Sequence, residues 1–575
     1  MMERIANLKH HHLIGLALAI IIFFIYLFSL CPTVYLIDSG ELAAVSYTLG
    51  IAHPTGYPLY TLISYFFAHI PGEPIINLNL LSAIFTIIAA IFLYLITKQI
   101  LKDRLSPLIC VSLFAFSPTI WRISITNEVY PLTTLFVLLI IYSLFKLRDE
   151  RGFYIIMYLI GLSMTNHIII FFLCLPVFLY IIFVYRPDFK KILLGILFAS
   201  LGVSLYLYII TRTLGGAEVT WGNAYNVQRL FWHITGKQYQ VWMFSLPLDE
   251  IFNNLLNGFS IFLKDFLYIL IVPVFFGFYY LFKSERKKFW LFFIIFMLNL
   301  LYTINYHIPD IESYYIPGLI SLIIVFTYGL KFINKYLKWF IVLPVAIVVP
   351  VLNYHSCSLR DNTFGLDFGR SYIEQLPEKS LLICTYWDIY SPTIYLKKVK
   401  KTRQDLVIID KELLRRTWYI KYLKDEYPEF YKEVQKQVES FLVELYKFEY
   451  NKPYNAYAIQ TKFIEMLESF IAAKISKGVY FATPFRDNDL KQVSPHYFRI
   501  PRGLVFEIRK DTANYVPFDF SKLNIKKPKI VYDERLRYDL EIVKKMVNNN
   551  YLFLRSHNKF KEAEQTKTWL KNFTY

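Results

Sequence analysis

The residues best suited to chemistry lie in one short stretch, Asp38-Ser39-Gly40-Glu41. No Lys or Arg occurs from Pro32 to Asn79, and after Glu41 the next charged residue is Glu73. If the stretch is helical, its i, i+3 spacing puts both carboxylates on one face. Their ionisation is then coupled, and either one, partly desolvated, is poised as a general base. A structural reading stands beside this one: Asp38 or Ser39 caps a helix running from Glu41 to Leu49 and ended by Gly50. The two readings are compatible. His53-Pro54-Thr55-Gly56-Tyr57-Pro58 follows at once, a turn whose prolines and glycine fix the His53 imidazole in place.

The elements that must position these residues are membrane helices. With 55% hydrophobic residues over 575, apolar side chains fill whole windows instead of one face. Apolar runs near 13–31, 77–97, 105–118, 131–146, 153–166, 168–185, 191–211, 262–282, 289–304, 316–331 and 337–353 predict about eleven spans. The first, after Arg4 and Lys9, reads as a retained signal-anchor because no Ala-x-Ala cleavage site follows it. The net charge of +18 does not indicate nucleic acid. Its basic residues cluster between the apolar runs, at Lys98/Lys102/Arg104, Lys146/Arg148/Arg151, Arg186/Lys190/Lys191, Lys283/Arg286/Lys287/Lys288 and Lys331/Lys335/Lys338, the pattern of cytoplasmic loops. Two clusters on one side require an even number of crossings between them. The short runs 105–118 and 153–166 are therefore halves of hairpins, the second breaking at Thr165-Asn166-His167.

Three domains are expected: a polytopic α-helical membrane domain at 1–354, an extracytoplasmic soluble α/β domain at 355–530 and a helical segment at 531–575. Short buried strands are read at Leu381-Leu382-Ile383-Cys384, Leu406-Val407-Ile408-Ile409, Gly478-Val479-Tyr480-Phe481 and Leu504-Val505-Phe506-Glu507. Helical periodicity marks Tyr431 to Lys447 and Thr461 to Lys477. Cys31, Cys110, Cys174, Cys357 and Cys384 lack paired spacing and read as free, with a Cys357–Cys384 pair as the alternative.

This topology collects further polar residues on the outer side: Arg122, Asn127-Glu128-Val129-Tyr130, Asn166-His167, Arg212, Trp221, His233, Asn305 and Asp310-Ile311-Glu312. Ionisable groups at a membrane boundary are costly unless paired or facing water, so their concentration there points to function. Arg229, Lys237 and Glu250 are read instead as solvated loop charges. Asn166-His167 either satisfies the hairpin tip or binds a ligand. Trp221-Gly222 and Phe231-Trp232-His233 are either interfacial anchors or a face for a sugar or lipid tail.

Asp38-Ser39-Gly40-Glu41-Leu42, followed by Gly50-Ile51-Ala52-His53-Pro54-Thr55-Gly56-Tyr57-Pro58-Leu59, resembles the opening signature of a family of GT-C membrane glycosyltransferases. This is the protein O-mannosyltransferase-like family, which includes the animal O-mannosyltransferase of plexin-type receptor domains and its prokaryotic relatives. Asn127-Glu128-Val129-Tyr130, Gly161-Leu162-Ser163 through Asn166-His167, and Asp310-Ile311-Glu312-Ser313-Tyr314-Tyr315 with Pro317 resemble later landmarks. Beyond the spans only Tyr386-Trp387-Asp388 and Arg403-Gln404-Asp405-Leu406-Val407 look familiar, with Gln404 where the family more often has proline.

The resemblance implies a GT-C-like fold and an inverting transfer of mannose or another hexose from a polyprenyl-phosphate carrier to a protein Ser/Thr or glycan hydroxyl on the outer face. It places an acidic base in the first outer loop, where Asp38 and Glu41 match, Asp38 as base and Glu41 as its partner. Donor phosphate or substrate is expected at His53, Tyr57, Arg122, Glu128, Tyr130, Asn166, His167, Arg212, Asp310 and Glu312, with Arg122 and Arg212 aimed at the leaving phosphate. No cofactor is required and no dedicated metal site is read. Asp38, Glu41, Asp310 and Glu312 could hold Mg²⁺ or Mn²⁺ if folding assembled them. No Gly-rich loop suits a nucleotide-sugar donor. The expected partners are the lipid-linked sugar, a protein or glycan acceptor and membrane lipid, with no nucleic acid. The expected location is a prokaryotic plasma membrane or its equivalent, N-terminus cytoplasmic and C-terminal domain outside. The alternative is a transporter or flippase, which internal repeats would favour and none is found. A third reading is a non-catalytic assembly subunit.

Overall fold

The structure, a computed structural model, describes residues 2–333, 339–482, 484, 486–512, 515–529 and 533–574. Lys335 and Lys338, and the side chains of Arg4 and Lys9, lie outside the described residues. The chain divides into two compact units. One comprises Met1–Pro32, Val45–Glu218 and Ala224–Arg360; the other comprises Thr33–Ala44, Val219–Asn223 and Asp361–Tyr575.

The first unit is helical, and the described parts of the apolar runs read from the sequence fall on helices, with 105–118 and 262–282 each straddling a break between two. Proline sets many of the starts. Helices Pro58–Ala68, Pro74–Leu101, Pro107–Ala115 and Pro118–Ser124 each begin on one, where the missing N–H costs nothing. Among the described residues, four helices are long and apolar enough to cross a bilayer: Pro74–Leu101, Phe189–Leu214, Ile311–Phe332 and Phe340–Cys357. Two bent pairs raise this to six: Pro107–Ala115 with Pro118–Ser124 at 61°, and Leu248–Asp265 with Ile269–Ser284 at 97°. Ile14–Ser29, Pro58–Ala68, Tyr130–Lys146 and Ile168–Val184 are apolar but shorter. Leu197, Leu201 and Phe275 are more than half exposed, an apolar surface that suits lipid rather than water. The chain is a helical membrane protein.

Close helix contact explains one sequence landmark. A Cβ on Gly161 would lie 1.9 Å from the Ala199 carbonyl oxygen, and one on Gly202 would lie 2.4 Å from the Leu162 nitrogen. Helices Glu150–Met164 and Phe189–Val203 therefore meet backbone to backbone, as small residues permit between spans.

The second unit is built on a five-stranded sheet: β1 (Leu381–Cys384), β2 (Val407–Asp410), β3 (Val479–Ala482), β4 (Phe498–Arg502) and β5 (Val505–Arg509), in the order β2-β1-β3-β5-β4. β1 pairs in parallel with β2 and β3, while β5 runs antiparallel to β3 and β4. All residues of β1, β2 and β3 are buried, which is why they read as unbroken apolar runs. β4 has no such signature. It is an edge strand that carries Pro501, where a missing N–H is tolerated. Helices Pro428–Glu449 and Ala456–Lys474 pack as a pair, as do Glu534–Ser556 and Phe560–Thr574. All five cysteines are free.

Candidate active site

The acidic stretch is packed within the second unit. A helix runs Ser39–Thr48, starting two residues earlier than the cap reading required, and Leu49 in the left-handed region (φ 52°) follows it. The Leu42 amide donates to the Asp38 carbonyl at 2.8 Å, so Asp38 opens the first turn. Its carboxylate Oδ1 accepts from the indole Nε1 of Trp387 at 2.8 Å. The Glu41 amide donates to Ser391 Oγ at 3.1 Å, and the Ile37 amide donates to Asp388 Oδ1 at 2.7 Å. Gly40 lies against the same helix, Trp387–Lys398; a Cβ there would fall 2.5 Å from the Ser391 carbonyl oxygen, so no other residue fits. Asp38 is half-buried, whereas Glu41 is sealed from solvent.

Asp388 in turn is fully buried and gripped from several sides. Arg535 donates through Nε at 2.5 Å and Nη2 at 3.1 Å, and Tyr386 Oη donates at 3.2 Å. Asp539, one helical turn beyond Arg535, is also buried. Burial first, and then the charge of Asp388, push its carboxyl well above the usual range.

In the first unit the structure gathers His53, Tyr57, Tyr130, His167 and Asp310. Tyr57 Oη lies 2.9 Å from His53 Nε2, and its ring stacks on His167 with centroids 5.6 Å apart and planes at 7°. His167 also meets the rings of Tyr130 (5.1 Å) and Tyr314 (5.4 Å). Tyr130 Oη donates to Asp310 Oδ2 at 2.8 Å. Because the Ile169 amide donates to His167 Nδ1, that ring carries its proton on Nε2. Asn166 satisfies the hairpin tip, donating to the Val129 carbonyl (3.0 Å) and Thr133 Oγ1 (2.7 Å).

The remaining candidates have these partners. Arg122 pairs with the exposed Glu312 at 3.8 Å and donates to the Ser356 carbonyl at 3.4 Å. Arg212 Nε donates to the Leu49 carbonyl at 2.8 Å, at the end of helix Ser39–Thr48. The Glu128 amide donates to Ser82 Oγ, beside an Asn127 that accepts from Tyr60 Oη. Asp310 and Glu312, considered above as metal ligands, each have a protein partner.

Two sequence readings need correction. Arg229 is not a solvated loop charge: it is 5% exposed, over the rings of Tyr225 (5.5 Å) and Trp232 (5.9 Å), and Lys237 Nζ sits 3.5 Å above the same Trp232. Trp221 is not an interfacial anchor, since it packs in the core of the second unit, 4.5 Å from the Trp418 ring and 5.8 Å from that of Trp387. The causes differ: Trp221 is buried by Trp387 and Trp418, distant in the chain, whereas the ring contacts of Arg229 are local, around helix Val227–Ile234. His233 stands out in the sequence as one of the outer polar residues and as part of an aromatic run. Its Nε2 lies 3.1 Å from the Ala52 carbonyl, and burial, then the neighbouring His53, push its pKa down to about 3.

Comparison with known proteins brings these observations together. The family model described as the protein O-mannosyl-transferase TMEM260 N-terminal domain matches residues 38–191, so the match begins on Asp38 and includes the His53–Pro58 turn. A Dictyostelium discoideum protein named protein O-mannosyl-transferase tmem260 is 24% identical over 579 residues, 87% of this chain and 67% of the relative. The Mus musculus protein O-mannosyl-transferase TMEM260 is 24% identical over 426 residues, 67% of this chain and 60% of the relative. Among solved structures, that of ArnT from Cupriavidus metallidurans bound to undecaprenyl phosphate is similar with a TM-score of 0.48 and 10% identity, covering 70% of this chain and 90% of that one. The signature read from Asp38 to Leu59 is thus a family resemblance: this chain is similar to protein O-mannosyl-transferases of the TMEM260 type.

Proposed function

We propose that this chain is a membrane glycosyltransferase that moves mannose or a related hexose from a polyprenyl phosphate to a protein or glycan hydroxyl at the outer membrane face. The names of both curated relatives support a sugar transfer. The observation that carries the assignment of the base is the hydrogen bond from Trp387 to the half-buried Asp38. An N–H donor holds a carboxylate anionic and oriented, and partial exposure lets a substrate reach it.

The reaction is a single displacement. The acceptor hydroxyl gives its proton to Asp38 while its oxygen attacks the anomeric carbon. The bond from that carbon to the phosphate oxygen breaks, and the electron pair leaves with the lipid phosphate. Negative charge then grows on the leaving group, which calls for cationic or N–H donors there. Arg122 and Arg212 are proposed for it, with His53 and His167 as neutral donors and Tyr57, Glu128, Tyr130, Asn166, Asp310 and Glu312 lining the substrate path. The proposed topology has about eleven spans, with residues after 354 outside the membrane. The proposed mechanism needs no metal.

The test is transfer from radiolabelled polyprenyl-phosphate mannose in membranes holding the full chain. Labelled protein or glycan is expected. If labelled lipid or sugar crosses liposomes and no acceptor is labelled, the chain is a transporter instead.

A further inference from the structure

Ile37 stands directly before the proposed base in an unusual backbone conformation. Its φ of 60° lies in the left-handed region, which β-branched residues avoid. Such a residue persists only where its surroundings over-determine it. Here the surroundings are a buried carboxylate: Asp388 Oδ1 accepts the Ile37 amide, while Arg535 binds both oxygens of the same carboxylate. Arg535 is in the first turn of helix Glu534–Ser556, near the end of the chain. Its guanidinium also lies over the Tyr386 ring at 5.5 Å. The same helix start touches the loop a second time, because Tyr35 Oη donates to Asp533 Oδ2 at 3.3 Å.

We propose that Asp388, braced by Arg535, is a positioning residue for the transfer: it holds Ile37 in its left-handed turn and thereby aims the Asp38 carboxylate, whose rotamer Trp387 fixes. The proposal rests on Asp38 as the base and gives helix Glu534–Ser556 a part in catalysis. Buried ion pairs are weak evidence for stability and better evidence for specifying one geometry. A misplaced reacting group costs rate more than it costs binding.

Five variants test this in the full-length protein, assayed with polyprenyl-phosphate mannose. Asp388→Asn keeps the shape but weakens the grip on Arg535 and Ile37. It is expected to lower kcat by about ten- to hundredfold while the donor KM stays as in wild type. Adding Ile37→Gly should recover part of that kcat, since glycine takes positive φ without a clamp. Trp387→Phe removes the N–H from the Asp38 carboxylate, so the acid limb of the kcat–pH profile should move to higher pH. Asp38→Asn serves as the reference. If Asp38→Asn is inactive while Asp388→Asn and Trp387→Phe keep wild-type kcat and pH profile, the positioning role is wrong and the base stands. If Asp38→Asn is fully active, the base is wrong and the positioning role falls with it. Should Asp388→Asn fail to fold, the pH profile of Trp387→Phe and the kcat of Tyr35→Phe decide: unchanged values in both overturn the proposal.

Discussion

Asp38 and Glu41 stand one turn apart and meet different surroundings. A group that takes a proton from a substrate must reach it, and of the two only Asp38 retains exposure. Glu41, in the first turn of helix Ser39–Thr48, is suited to the positive end of the helix dipole. Arg122 is held more loosely. Its partner Glu312 is 57% exposed, and pairs of that kind contribute about 0–1 kcal/mol. Exchanging that partner for a lipid phosphate would therefore cost little. Arg122→Ala should raise the donor KM about tenfold, the loss of one hydrogen bond to a charged group, and lower kcat as well, because charge grows on that phosphate in the transition state. An unchanged KM in steady-state assays would remove Arg122 from the donor site. At this scale the His53–Pro58 turn was legible because its prolines and glycine act locally. Arg229 was misread because its stretch was taken for a loop; it lies on helix Val227–Ile234, where Trp232 is its i+3 neighbour.

Helix Glu534–Ser556 looks in sequence like half of an ordinary helical pair. It carries Arg535 and Asp539 at i, i+4, so both face Asp388. Asp539 makes no ordinary hydrogen bond through either oxygen. Its carboxyl pKa is raised on folding, so the native state binds more protons than the unfolded chain above the ordinary carboxyl value of about 4. Stability should then decline as pH rises from there toward the folded pKa, and level off beyond it. Asp539→Asn removes that decline: its Tm should exceed wild type by a few degrees at pH 8 and match it at pH 4. An equal loss of Tm at both pH values in a detergent melt would show that the substituted amide merely packs badly and that Asp539 is not held neutral. Helices and parallel strands were legible here through apolar runs. β4 was not, because Pro501 argues against a strand and only pairing at the sheet edge accommodates it.

At the scale of the whole molecule, the two units do not follow chain order. Thr33–Ala44 and Val219–Asn223 come from between spans yet belong to the unit that holds the sheet. Hydropathy gave the division between apolar and mixed composition, and so an expected boundary near 355. It carried no information about pairings such as Asp38 with Trp387 or Ile37 with Asp388, which join residues about 350 positions apart and are formed only by folding. The familiar Tyr386-Trp387-Asp388 was the one hint, since Trp387 and Asp388 turn out to bond to Asp38 and to the Ile37 amide. Removing the proposed base tests this picture most directly. With wild-type and Asp38→Asn chains at equal levels in membranes, transfer from radiolabelled polyprenyl-phosphate mannose should fall by about 10²- to 10⁴-fold in the variant, the range for loss of a general base. Transfer by Asp38→Asn at the wild-type rate would contradict it.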